Sequence, residues 1–367
     1  MSEPFGAVCS YTEWDPLEEV IVGSVQGAVY PEYGPILAAN GDPAWLEHYA
    51  GAFVEEELVE QATEQLDTFV EILEGEGVVV RRPDPIPHHQ AFSTPHWQSR
   101  SGWNSANPRD LFLVVGDRVV ECASPLRHRY FEALAYRRLM RGYFEAGARW
   151  FAAPPPLLRE PLYDYSALAE PERHAPRVLD PDEAPWYPIT EREPVFEAAD
   201  FIRCGEDLFV IQSTVTNRAG IAWVARHLGS PYRVHVLKTR QSNPCHIDTT
   251  FVPLRPGVAL VHPEWMGERP ASLSSWTLLP APPPTYHDDS PMASPYFTSQ
   301  WLSMNVFSLD ARRVFVDAQQ HALLRLLESH GFEPIAIPFD AVGAFGGSFH
   351  CATLDIRRRG ELARYVD

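Results

Sequence analysis

The chain has 367 residues, 45% of them hydrophobic and 22% charged, enough for one large or two ordinary soluble domains around a buried core. Its formal net charge of −19 argues against nucleic acid or an anionic membrane surface as a main partner, since both repel an acidic protein. No apolar run reaches the roughly 18–20 residues needed to cross a bilayer, and Met1-Ser2-Glu3-Pro4 lacks the basic start of a secretion signal.

In chain order, one pattern recurs: strand, tight turn, strand, helix, strand. Val20–Ser24, a helix over 54–75 and Val78–Arg81 open it, awaiting a partner strand from elsewhere. Asp110–Ser124 predicts a hairpin turning at Gly116-Asp117, then a helix over 127–147 and a strand at Arg149-Trp150-Phe151. Asp200–Ser213 predicts another, turning at Gly205-Glu206-Asp207, with a helix capped by Thr216/Asn217, ending at Gly229, and a strand Tyr232–Leu237. A further unit starts at His246, turns at Arg255-Pro256-Gly257 and returns through Val258–His262. The next runs Trp301–Leu309, Val314–Val316, a helix capped by Asp317, and Pro334–Phe339. Phe349–Ile356 then predicts the strand that pairs with Val20–Ser24.

Five units of this kind cannot each cover their own sheet, so they are expected to close into a ring zipped by the two chain ends. The expected architecture is α/β, one domain over residues 1–367, with ββαβ units around a central site. A proline-rich stretch at about 152–193 breaks the pattern and reads as an irregular surface excursion. Residues 26–52 and 279–298 read as loops that wall a pocket. The five cysteines at 9, 122, 204, 245 and 351 are scattered, which suggests reduced thiols in a cytoplasm rather than a disulfide framework.

Asp110, Glu197/Asp200, His246/Asp248, Ser303/Asn305 and Cys351 fall at corresponding positions, at the start of the first hairpin strand of each unit. In a closed ring such positions converge on the axis. Cys351 follows the pair Gly346-Gly347, which permits close approach. A lone cysteine on an apolar strand is ordinarily a small buried hydrophobe; as a thiolate beside a cation it is a nucleophile. His246 and Asp248, two apart, are expected on one face of a strand, either as a satisfied polar pair or as an acid/base beside a substrate-gripping carboxylate. Asp110 and Asp200 are either turn or strand-end residues and Glu197 a surface carboxylate, or all three are carboxylates aimed into one cavity at a guanidinium. A histidine with carboxylates can hold zinc or iron, but no His-x-His or His-Glu-x-x-His occurs, and neither metal nor other cofactor is expected.

Glu13-Trp14-Asp15-Pro16-Leu17-Glu18-Glu19-Val20, Pro108-Arg109-Asp110, Phe196–Phe201, His246-Ile247-Asp248, Trp301-Leu302-Ser303-Met304-Asn305, Phe349-His350-Cys351 and Arg357-Arg358-Arg359-Gly360 occur in this order over nearly the whole chain. Together they resemble the amidinotransferase family of arginine:glycine and inosamine-phosphate amidinotransferases. The resemblance implies a five-bladed α/β propeller. It further implies that Cys351 attacks the guanidinium carbon of L-arginine, that His246, partnered by Glu197, moves protons, and that Asp110 and Asp248 hold the guanidinium. Glu197 replaces the family's usual aspartate. Thr298-Ser299 stands where glycine-specific members show paired serines, and Asn243-Pro244-Cys245-His246 and Trp301–Asn305 look like the glycine-type branch, which makes Asn243 and Asn305 substrate-binding candidates with Thr298 and Ser299. Trp265 stands in the region of the arginine that binds the donor's carboxylate, which leaves Arg269 or Arg255 as substitutes, or a donor other than arginine.

The implied partners are small molecules, L-arginine and a primary amine, with a homodimer admitted. Glycine, another amino acid or a natural-product amine are open as acceptors. The competing readings are a guanidino-group hydrolase of the same fold and a non-catalytic guanidine-binding paralogue.

Overall fold

The computed structural model describes residues 4–38, 43–166, 177–293, 295 and 298–366. Among them are five three-stranded sheets. The first draws on both ends of the chain: Leu17–Val22 runs antiparallel to Thr353–Arg358 and parallel to Val79–Arg81. The helix Glu56–Gly75 makes the parallel crossover, burying Ala62, Leu66, Phe69 and Leu73, which recur at helical spacing on one face.

The other four sheets follow in sequence. Phe112–Val115 and Arg118–Glu121 form a hairpin, joined in parallel by Arg149–Ala152. The third sheet repeats this with Phe201–Cys204, Asp207–Val210 and Arg233–Val236. Phe251–Arg255, Val258–Val261 and Thr277–Pro280 form the fourth, and Phe307–Ser308, Arg313–Asp317 and Glu333–Ile337 the fifth. Gly116, Gly205 and Gly257 turn three of the hairpins at φ of 59°, 74° and 76°, where a Cβ is penalised.

Five of the clusters of buried apolar side chains each join two sheets. Ile21 and Leu354 of the first sheet pack with Phe112 and Val114 of the second, and Leu113 and Val115 of the second with Phe201 and Leu208 of the third. Ile202 and Phe209 meet Phe251 and Val261 of the fourth. Val252 and Leu254 meet Val314 and Val316 of the fifth, whose Phe307 and Phe315 return to Val20 and Val22 of the first. Alternating residues of one strand serve opposite neighbours because successive side chains point to opposite faces of a sheet.

Several expected boundaries shift. The helix expected over 127–147 is two 3-10 segments, Arg127–Arg129 and Glu132–Tyr136, followed by an α-helix at Arg137–Glu145. Trp301–Leu309 is mostly a 3-10 turn, Gln300–Met304, with only Phe307–Ser308 as strand. Asn217 does cap the helix Arg218–Leu228, its side chain accepting from the Gly220 N–H. Asp317 does not cap the helix His321–Ser329; it accepts instead from the backbone N–H groups of Gln319 and Phe339. The excursion at 152–193 is anchored by buried Leu158, Leu162, Leu179 and Ile189, with residues 167–176 outside the described set. No helix among the described residues is long and apolar enough to cross a membrane.

Candidate active site

Five short turns, each just ahead of the first strand of its sheet, carry the polar residues singled out from the sequence. Asp110 lies in Pro108–Leu111, Asp200 in Ala198–Asp200 and Asp248 in Ile247–Thr249. Asn305 ends the turn Gln300–Met304, and Cys351 precedes the strand starting at Thr353. Two expectations are corrected here. Cys351 is in a turn, not on an apolar strand, and His246 and Asp248 do not share a strand face. His246 instead takes φ +59°, a conformation costly for a residue with a side chain and held only where its surroundings enforce it.

The turns converge. Asn305 clasps Cys351 twice: its Nδ2 donates to Sγ at 3.2 Å and its Oδ1 accepts from the Cys351 N–H at 3.0 Å. Asp248 Oδ2 lies 3.5 Å from the same sulfur. Asp110, His246 and Cys351 each present a ligand atom within 4.8 Å of the other two, a spacing that a cation could bridge. His246 Nε2 donates to Glu197 Oε2 at 2.9 Å, and its Nδ1 is 3.8 Å from Asp110 Oδ1.

Behind the carboxylates stands Arg129, which sequence reasoning missed. It donates to Asp110 at 2.7 Å, to Glu197 at 3.3 Å and to both oxygens of Glu132 at 2.8 and 2.9 Å. Ser124 Oγ adds a bond to Glu197 at 2.6 Å. His350 was also missed as a site residue: its Nδ1 lies 2.8 Å from Asp248 and its Nε2 3.3 Å from Glu13. Arg127-His128-Arg129 falls at the start of the helix expected over 127–147, and Arg129 is buried with the distant Asp110 and Glu197 as well as the nearby Glu132.

Electrostatics divides the site. Burial disfavours the charged form of every group, yet Arg129 and the His246 hydrogen bond bring Glu197 down to about 2. Burial alone would lower His246, but Cys245, Asp110, Cys351 and Glu197 together lift it well above its usual range. The Cys351 thiol is pushed strongly up by burial and then by Asp248 and Asp110, with His246 opposing. Asp248 is nevertheless held below the usual carboxylate range, its desolvation outweighed by His350, His246 and Arg109. Asp110 Oδ1 and Asp248 Oδ1 are buried acceptors with no hydrogen-bond partner among the described residues. Burial raises Asp110, against His246 and Arg129. Two carboxyl oxygens without donors lie beside the thiol, an arrangement that a planar cation could satisfy.

A cavity of about 470 Å³ opens above this cluster. Its lining includes Asp110, Glu197, His246, Thr298 and Ser299; of the two segments expected to be loops walling a pocket, 279–298 adds Pro295, and 26–52 adds Ile36 and Leu37 from a short helix, Pro35–Ala38, rather than from a loop. Residues 39–42, 294, 296 and 297 of those segments are outside the described set. Cys351, Asp248, Asn243 and Asn305 do not line it. Asn243 is buried and accepts from Ser242 Oγ at 3.0 Å, while Asn305 holds the thiol. Gly346, at φ +93°, lies where a Cβ would come within 2.6 Å of the Trp103 ring, and a Cβ on Gly347 would come within 2.4 Å of Asn107 and Cys351. The glycine pair thus lets protein groups close in around the thiol. Trp265 lines the cavity, stacked on His262 at 3.9 Å. Neither suggested substitute reaches the lining: Arg269 points to the Ser274 carbonyl, and Arg255 to the His330 carbonyl and the Phe332 ring.

No protein-family model matches the chain, but similar proteins agree with one another. L-arginine:L-lysine amidinotransferase of Pseudomonas savastanoi pv. phaseolicola is 42% identical over 98% of this chain and 96% of its own length. This chain belongs to the amidinotransferase family. The mitochondrial glycine amidinotransferase of Gallus gallus is 41% identical over 98% of this chain and 85% of its own. Among solved structures, SxtG, an amidinotransferase from Microseira wollei in the saxitoxin biosynthetic pathway, superposes with a TM-score of 0.87 at 44% identity, covering 98% of this chain and 99% of that one. Amidinotransferases are transferases acting on small molecules, so the turns at the five sheet edges belong to a transferase.

Proposed function

We propose that the protein moves the amidino group of L-arginine to a primary amine through an amidino-Cys351 intermediate, releasing L-ornithine. The observation that carries this reading is the pair of unpartnered oxygens on Asp110 and Asp248 flanking Cys351. A guanidinium between them satisfies both and neutralises the charges that hold the thiol protonated. The substrate therefore activates its own nucleophile, since an opposite charge within a few ångströms favours the thiolate.

The thiolate then attacks the guanidinium carbon. The bond from that carbon to arginine's Nε breaks as His246, kept cationic by Glu197 and Asp110, gives its proton to that nitrogen, which leaves as the side-chain amine of ornithine. The acceptor amine attacks the amidino carbon next, passes a proton to His246, and the carbon–sulfur bond breaks to return the thiolate. Ping-pong kinetics follow. Thr298 and Ser299 offer hydroxyls to the substrate end remote from the thiol, and Asn305 holds Cys351 in register.

We also read the cyclic succession of core clusters as a five-bladed α/β propeller forming one domain, with this site on its axis. The decisive experiment is mass spectrometry of the protein after mixing with L-arginine alone, and of the products after adding a panel of amines. The reading predicts one amidino group on Cys351, stoichiometric ornithine, and none of either in Cys351→Ala. Citrulline or urea without a modified amine would place the protein among hydrolases instead.

A further inference from the structure

Each of the two carboxyls flanking the thiol is tied to the protein through one oxygen. Arg129 donates to Asp110 Oδ2 at 2.7 Å, and His350 Nδ1 lies 2.8 Å from Asp248 Oδ2, while both Oδ1 atoms have no partner among the described residues. The last torsion of an aspartate is broad and two-fold, so the oxygen left open is decided by whatever holds the other. Cys351 Sγ also reaches Asp248 Oδ2, at 3.5 Å, but a thiol donates only until it ionises. His350 is the donor that remains through the attack.

The imidazole is itself fixed. His350 is buried, its backbone N–H donates to the Asn305 carbonyl at 3.2 Å, and its carbonyl accepts from Arg109 Nε at 2.7 Å and Thr353 Oγ1 at 3.0 Å. Across the ring, Nε2 is 3.3 Å from Glu13 Oε2, and Arg203 grips Glu13 at 2.7 and 2.9 Å. A neutral imidazole carries its proton on one nitrogen, and the shorter contact favours Nδ1, the nitrogen facing Asp248. The charged and titratable groups around Asp248 are His246 just before its own turn, Arg109 from the turn Pro108–Leu111, and His350 with Cys351 ahead of the last strand. Burial pushes Asp248 up, and the His350 hydrogen bond does most to bring it below the usual carboxylate range, ahead of His246 and Arg109.

We propose that His350 is the positioning residue for Asp248: its Nδ1–H holds Oδ2 and so leaves Oδ1 facing the guanidinium of the donor. This rests on the transfer reading above, and the test separates the two. An asparagine amide reaches the place of Nδ1 and a glutamine amide that of Nε2. His350→Asn therefore keeps the bond to Asp248, and His350→Gln keeps only the one to Glu13. The single burst of ornithine from L-arginine alone is followed in the parent and both variants against L-arginine concentration, from about pH 5 to 8.

In His350→Gln the half-saturating concentration should rise about ten- to hundredfold with the limiting rate within about threefold of the parent, since Asp248 grips the guanidinium before and during attack alike. His350→Asn should stay within about threefold of the parent in both quantities, the charge-assisted bond being kept. With burial less opposed, Asp248 in His350→Gln should also take up its proton at higher pH, so half-saturation there should worsen towards the acid end, and that of His350→Asn should not. Equal half-saturating concentrations in the two variants, or a loss confined to the limiting rate, overturn the inference. So do variants that fail to fold, because His350 would then serve the fold alone. A parent that releases no ornithine from L-arginine fails the transfer reading instead.

Discussion

The thiol of Cys351 sits among acceptors that disfavour its ionisation, and Asp248 is the largest of them after burial itself. Replacing Asp248 by Asn should therefore act in opposite directions on the free and bound protein. In the free protein, iodoacetamide labelling of Cys351 should shift to lower pH, because a negative charge beside the thiol is gone. Donor binding should weaken about ten- to hundredfold, as one charge-assisted partner of the guanidinium is lost. An unchanged labelling profile and an unchanged affinity for L-arginine would remove Asp248 from the site. Asp200 gives a second test. Burial raises it to about 7, against His246 and Ser213, and its Oδ1 has no partner among the described residues. A carboxyl whose folded pKa exceeds its unfolded value near 4 stabilises the fold fully below that value and progressively less as pH rises to about 7. Asp200→Asn does not titrate, so its Tm relative to the parent should climb between pH 4 and 7 and level off above. A difference independent of pH would contradict the buried, protonated state.

At the scale of elements, what matters is that the site is made of turns rather than strands. His-Ile-Asp reads as a strand from its alternation, whereas the structure gives a positive φ at His246 and a 3-10 turn after it. Nothing in a sequence reveals a backbone conformation that distant neighbours enforce. The hairpins were legible because period-two apolar runs bounded by Gly116, Gly205 and Gly257 are local signals. Arg129 was not, since two of its partners, Asp110 and Glu197, lie 19 and 68 residues away, and only Glu132 is local. Arg129→Met should leave Asp110 and Glu132 buried without their shared cation, costing about 3–5 kcal/mol in urea unfolding along with turnover; a stability within about 0.5 kcal/mol of the parent, the span of an ordinary surface change, would deny it that role. The clustering of Asp110, His246 and Cys351 across three turns also predicts that zinc inhibits competitively with L-arginine. Inhibition that L-arginine cannot relieve would locate the metal elsewhere.

Across the molecule, a second polar cluster lies behind the thiol. Arg203 donates to Glu13 and Asp355 at 2.7 and 2.5 Å, Arg109 to Asp355 at 2.5 Å, and Arg358 to Asp355 at 2.6 Å and to the Ser308 carbonyl. The first and third sheets and the turn before the second thus meet at one carboxylate, Arg358 ties it to the fifth sheet, and His350 bridges Glu13 to Asp248. The motifs containing Glu13, Arg109 and Arg358 stood out in the sequence, but their convergence is a property of the assembled sheets. Asp355→Asn should lower the stability of the whole chain by about 3–5 kcal/mol, read from the denaturant midpoint; a shift confined to activity would make the cluster local instead.

The pairing of Leu17–Val22 with Thr353–Arg358 also sets an order of events during synthesis. The strand near the start of the chain leaves the ribosome long before its antiparallel partner exists, and Cys351 emerges only just ahead of that partner. A nascent chain carries its carboxylates and His246 well before it carries the thiol. A polypeptide cut short before Cys351 would hold an open seam and lack this thiol, so under the chemistry proposed above it is expected to leave arginine untouched.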